Sequence, residues 1–152
     1  MESMFVLPLA RLLRVDPNII TLLSILAMLF AFMFVLNGNL YLAALFVFVS
    51  GYLDLLDGTV AKYHKRATRF GAFLDRVSDR INDILIVSAI LLSGLVNLEL
   101  GVAVLSLVVL SSYASSVLES QSKTNVGEKL SLRGVRLTLI IFGFVFNYTV
   151  FV

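Results

Sequence analysis

Residues 54–79 read DLLDGTVAKYHKRATRFGAFLDRVSD, a stretch carrying four acids inside an otherwise strongly apolar chain. Asp54 and Asp57 are three residues apart, and Asp75 and Asp79 four apart. Each pair therefore projects from one face of its own helix, with its members one turn apart. A charged aspartate at bilayer depth costs about 2.5–3.5 kcal/mol on insertion scales, so four of them need cations or partners. If the two helices pack side by side as an antiparallel hairpin, the pairs converge. Carboxylate oxygens suit hard cations such as Mg²⁺ or Mn²⁺, which keep open positions for water or substrate phosphates. Four carboxylates are enough for a two-metal centre, with ions roughly 3.5–4 Å apart that neutralise a phosphate. The alternative for Asp54 and Asp57 is pairing with Arg or Lys near the membrane surface.

Composition sets the class. Of the 152 residues, 59% are hydrophobic and 14% charged, against about 45–50% and about 25% in a soluble domain. With a mean hydropathy of +0.98, the chain reads as an integral membrane protein with an all-α helix bundle. There is no cysteine, which removes disulfides and thiolate metal sites. No internal repeat or low-complexity tract divides it, so residues 1–152 read as one domain. The basic N-terminus, Met1 to Arg14, leads into an apolar stretch without a small-residue cleavage pattern, which predicts a retained first span and not a removed signal peptide.

At about 20 apolar residues per span, five spans are expected near Ile19–Leu36, Leu40–Ala61, Gly71–Ser93, Leu98–Leu118 and Gly134–Val152. Asn37-Gly38-Asn39, and Ser93-Gly94 with Asn97, interrupt the pattern as short turns, while 62–70 and 119–133 are longer polar connections. All 12 Lys and Arg residues fall on one side of this arrangement: Arg11 and Arg14; Lys62, Lys65, Arg66, Arg69, Arg76 and Arg80; Lys123, Lys129, Arg133 and Arg136. The positive-inside rule puts that side in the cytoplasm. The acids then face the cytoplasm at one end of the cell membrane. Basic residues distributed by topology in this way argue against nucleic-acid binding.

Gly58 follows Asp57, Ala61 lies one turn later, and Gly71 lies one turn before Asp75, so little side chain walls the acids; small-residue helix packing is the alternative explanation. Together these residues resemble the signature of the CDP-alcohol phosphotransferases, D-x2-D-G-x2-A-R-x8-G-x3-D-x3-D. Seven of its eight fixed letters match in register. The departure is Lys62 in place of Arg, which keeps the positive charge and loses planar bidentate phosphate recognition. The resemblance implies transfer of a substituted phosphate from a CDP-linked donor to an alcohol, with release of CMP and two divalent cations, Mg²⁺ or Mn²⁺. It further implies that Asp54, Asp57, Asp75 and Asp79 are metal ligands, and that Asp79 is also the general base. Gly58, Ala61, Lys62 and Gly71 would line the nucleotide pocket. Asn18, in a Pro17-Asn18 pair with Thr21 one turn on, resembles the P-N-x-x-T opening of the family's first span and could also serve the nucleotide, though Pro is a normal first-turn residue. A homodimer among membrane lipids is the family's expectation, as are six membrane helices where five are counted here.

The acceptor is read from weaker signals. Lys123, Arg133 and Arg136, with Lys129, could bind the phosphate of a phosphorylated acceptor, or could serve topology and anionic headgroups. The segment from Tyr113 through Gly127 to Arg136 resembles the inositol-phosphate-accepting branch more loosely. The donor would be a CDP-activated lipid and the acceptor a polyol phosphate. Glycerol phosphate as acceptor, a soluble CDP-polyol donor, a divalent-cation transporter and a silent scaffold are the alternatives. His64 reads as a solvated loop residue, Phe5–Val15 as an interfacial helix, and Asp83 as a partner of Arg80 or part of a buried polar network. The 12 phenylalanines read as lipid-facing or packing residues.

Overall fold

The computed structural model describes residues 3–13, 15–121 and 138–145. A short helix, α1 (Ser3–Leu12), precedes four long ones: α2 (Pro17–Leu36), α3 (Leu40–Tyr63), α4 (Arg69–Leu92) and α5 (Leu98–Gln121). Residues 138–145, inside the fifth predicted span, are also helical. No strand occurs among the described residues.

Local chemistry explains the ends. Asp16 caps α2, its Oδ1 accepting from the Asn18 N–H at 2.9 Å, and Pro17 opens the helix where its missing N–H costs nothing. Between α2 and α3, Gly38 takes a left-handed φ of 74°, as glycine does without a Cβ penalty. Asn39 then caps α3 by accepting from Leu42 N–H at 3.2 Å. Thr68 caps α4, receiving Gly71 N–H at 2.9 Å.

α2 is the common packing partner. It lies extensively against both α3 and α4, while α1 rests on α3 and α5 on α4. The interface uses small side chains, with Ala27 and Ala31 of α2 and Ala43 and Ala44 of α3 all buried. Small residues let helices approach closely where lipid provides no hydrophobic drive between them. Larger groups close the far end: the Phe46 ring lies 5.4 Å from both Phe30 and Phe34. Phe144 and Ile140 join the same core. The backbones of α3 and α4 scarcely approach each other; both rest on α2, their shared neighbour, while acid side chains reach across between them.

α2 and α3 are long and apolar enough to cross a membrane, and Leu98–Ser111 of α5 is a shorter apolar helix. In α4, Arg69, Asp75, Arg76, Asp79 and Arg80 crowd the first half, Asp83 follows just beyond it, and only the stretch after Asp83 is apolar. Leu22, Met33, Phe48, Phe73, Leu107 and Leu110 are each more than half exposed, a continuous apolar exterior that suits lipid and not water. Where α4 meets α5, a Cβ on Gly101 would fall 2.3 Å from Leu91 Cδ1 and 3.1 Å from its Cγ. Gly101→Ala is expected to destabilise the fold by about 1–3 kcal/mol through overpacking. Thermal unfolding in detergent should show a lowered midpoint, partly restored by adding Leu91→Ala.

Candidate metal centre

The acids occupy the C-terminal half of α3 and the N-terminal half of α4, the region where α2 keeps these helices apart. Asp54, Asp75 and Asp79, all half-buried, each present a carboxylate oxygen, and the three oxygens lie within 4.8 Å of one another. Opposite oxygens around Mg²⁺ at 2.0–2.1 Å are about 4.2 Å apart, so the cluster is close to the width a hard cation spans. Oxygen donors of this kind suit Mg²⁺ or Mn²⁺. The residues present therefore fit the ions that the sequence predicts.

Asp57 stands differently. It is 3% exposed and receives the Thr21 hydroxyl proton on Oδ2. Its other oxygen, Oδ1, is buried with no hydrogen-bond partner among the described residues. It lies within the electrostatic field of Asp54 and Asp75 but outside the group of three.

The small residues differ in their surroundings. A Cβ on Gly58 would meet nothing within 4 Å, so the wall beside Asp57 is open. A Cβ on Gly71 would lie 3.1 Å from Thr68 Oγ1 and 3.3 Å from Asn18 Oδ1, which places Asn18 beside the start of α4. Ala61 is half-buried and Lys62 exposed in the last turn of α3. Lys123, Lys129, Arg133 and Arg136 lie outside the described residues.

His64 departs from its sequence reading. It caps the C-terminus of α3, is half-buried, and has Nε2 3.0 Å from the Ala10 carbonyl oxygen. The Tyr63 ring meets His64 edge-on at 5.1 Å, and the Arg11 guanidinium lies 5.9 Å from the Tyr63 ring centre. The cause is α1, which docks on α3 and buries Ala10 with Ile20, Leu56 and Val60.

A polar seam, of which sequence reading anticipated only Asp83 as a member of a buried network, accompanies the acids. Ser24 Oγ donates to Thr21 O at 2.8 Å, and Ser50 Oγ donates to Ser24 O at 2.9 Å. Ser78, Asn82 and Asp83 are buried on α4, and neither side-chain polar atom of Asn82 has a partner among the described residues. Ser24, one turn beyond Thr21 in an apolar stretch of α2, is the overlooked signal that would have pointed to the rest of this seam.

The sequence profile of the CDP-alcohol phosphatidyltransferases matches residues 14–151. The chain belongs to the CDP-alcohol phosphatidyltransferase family. It is thus a membrane-bound transferase of a phospholipid-synthesis family that generally depends on divalent cations, and the transporter alternative is set aside. An archaetidylinositol phosphate synthase of Methanothermobacter thermautotrophicus is 31% identical over 147 residues, covering 96% of this chain and 74% of the relative. One from Pyrococcus horikoshii is 30% identical over 135 residues, 89% of this chain and 72% of the relative. A phosphatidylinositol phosphate synthase of Corynebacterium glutamicum is 40% identical over 80 residues, 50% of this chain and 36% of that protein. Within this CDP-alcohol phosphatidyltransferase, three of the four signature acids, Asp54, Asp75 and Asp79, are the ones that converge.

Proposed function

We propose that this protein transfers a substituted phosphate from a CDP-activated lipid, CDP-archaeol or CDP-diacylglycerol, to a polyol phosphate, with inositol phosphate as acceptor and CMP as the leaving product. The observation that carries this reading is the convergence of Asp54, Asp75 and Asp79 at the positions of the nucleotide-linked signature. The names of the similar proteins support the acceptor class. Asp54, Asp57, Asp75 and Asp79 would hold two Mg²⁺ or Mn²⁺ ions. When bound, such ions neutralise the diphosphate and acidify a hydroxyl beside them.

The chain's own residues supply the rest. The acceptor oxygen bonds to the phosphorus that carries the lipid alcohol, the bond from that phosphorus to the CMP oxygen breaks, and the acceptor proton passes to the Asp79 carboxylate. Phosphoryl transfer needs positioning and charge neutralisation more than covalent machinery. The open wall at Gly58 and the small side chain of Ala61 leave room for the nucleotide, while Gly71 lets Asn18 come close to the start of α4 at the edge of that space. Asn18 sits beside Gly71, and Lys62 adds a positive charge near the diphosphate. Lys123, Arg133 and Arg136 would take the acceptor's phosphate. The site faces the cytoplasm of the cell membrane in this reading, and two copies of the chain form the working unit.

The test is CMP release by purified protein in detergent with Mg²⁺ or Mn²⁺ and CDP-activated lipid, comparing inositol phosphate, glycerol phosphate, serine and no acceptor. Release that requires inositol phosphate supports the reading; release with glycerol phosphate alone reassigns the acceptor. Replacing Arg133 and Arg136 together by Gln is expected to raise the acceptor KM about tenfold or more, the loss of one to two charge-assisted hydrogen bonds, with CDP affinity unchanged. An unchanged KM leaves those arginines as topology signals.

A further inference from the structure

The seam between α2 and α3 contains a contact that neither the signature nor the group of three acids accounts for. Thr21, 3% exposed, donates its hydroxyl proton to Oδ2 of Asp57, also 3% exposed. A threonine hydroxyl has one proton to give, and Thr21 Oγ1 also lies 3.1 Å from the Pro17 carbonyl oxygen. A carboxylate is the stronger acceptor, so the proton belongs to Asp57. This leaves Asp57 with one oxygen occupied and one, Oδ1, buried and unpartnered among the described residues.

The anchoring continues behind Thr21. Ser24 donates to the Thr21 carbonyl, and Ser50, on α3 two turns from Asp57, donates to the Ser24 carbonyl. These bonds fix the register of α2 against α3 over the same stretch in which Thr21 meets Asp57. A buried carboxylate that can rotate freely presents either oxygen to a cation, whereas one clamped at Oδ2 offers only Oδ1. We infer that Thr21 is a positioning residue for metal binding: its hydroxyl orients Asp57 so that Oδ1 is the oxygen left for a divalent cation, and it does so without touching nucleotide or acceptor.

This rests on the reading of Asp57 as a metal ligand, so the test separates the two. Mn²⁺ alone is titrated into purified protein in detergent, without nucleotide, and free Mn²⁺ is followed by electron paramagnetic resonance. Groups that orient a metal ligand contribute about 10- to 100-fold to affinity. Thr21→Val is expected to weaken Mn²⁺ binding by about that factor, and Thr21→Ser, which keeps the hydroxyl, to stay near the parent. In an Asp57→Asn background, Thr21→Val should add little further loss, since the two act through one interaction.

Unchanged Mn²⁺ affinity in Thr21→Val, with Asp57→Asn weakened, overturns the positioning role alone. So does a fully additive double variant. If Asp57→Asn leaves Mn²⁺ binding intact, the ligand assignment falls and this inference with it. Thermal unfolding in EDTA is measured alongside. A Thr21→Val protein with a lowered midpoint but parental Mn²⁺ affinity means that Thr21 only packs and caps.

Discussion

Asp79→Asn is expected to lower acceptor-dependent CMP release by at least about a hundredfold. A positioned general base contributes about 10²–10⁴ in rate, and an amide in its place cannot take the acceptor proton. Asp79 is half-buried and groups its oxygen with those of Asp54 and Asp75, so the variant also loses one negative charge from the cluster and its Mn²⁺ affinity should fall in parallel. Measuring CMP release at saturating Mn²⁺ separates the two losses. A rate that recovers fully at high Mn²⁺ would assign Asp79 to metal binding alone and sink its role as base. A rate that stays down under saturation carries the acid–base assignment.

The second large effect is expected from Asp54→Asn. Groups that merely orient a metal ligand are worth about 10- to 100-fold, so removing a ligand should weaken metal-dependent CDP binding by no less. Without metal the sign reverses. Carboxylate oxygens within 4.8 Å of one another repel, and an amide at position 54 relieves part of that repulsion. The Asp54→Asn protein should therefore unfold at a higher temperature than the parent in EDTA while binding CDP more weakly in Mn²⁺. Parental CDP affinity in Mn²⁺ would remove Asp54 from the centre.

The sequence carried much of this arrangement because the signals were local. The Asn37-Gly38-Asn39 break fell where Gly38 takes a left-handed turn, and α2 to α5 begin and end within a few residues of the predicted spans. Helical spacing brought Asp75 and Asp79 to one face, and the signature tied them to Asp54. Three features were not legible, each decided by residues far apart in the chain. Periodicity marks α3 as apolar but does not say that α2, and not α4, is its principal neighbour. Asp57 looks equivalent to Asp54 until Thr21, 36 residues away, takes one of its oxygens. His64 reads as a loop residue until α1 folds back and offers the Ala10 carbonyl from 54 residues away.

The uneven polarity of α4 bears on how the protein is made. Five charged residues in its first half and Asp83 just beyond set it apart from α2 and α3, which alone among the described helices pass as independent membrane crossings of full length. Each Asp or Arg at the centre of a helix entering lipid opposes insertion by about 2.5–3.5 kcal/mol. During synthesis, α2 and α3, joined by a tight turn, can partition into the bilayer on their own apolar surface. α4 emerges next from the ribosome and finds on α2 a ready-made docking face that shields its buried Ser78, Asn82 and Asp83 from acyl chains. On these grounds α4 is expected to depend for its insertion on the pair that precedes it, so that chain order becomes assembly order.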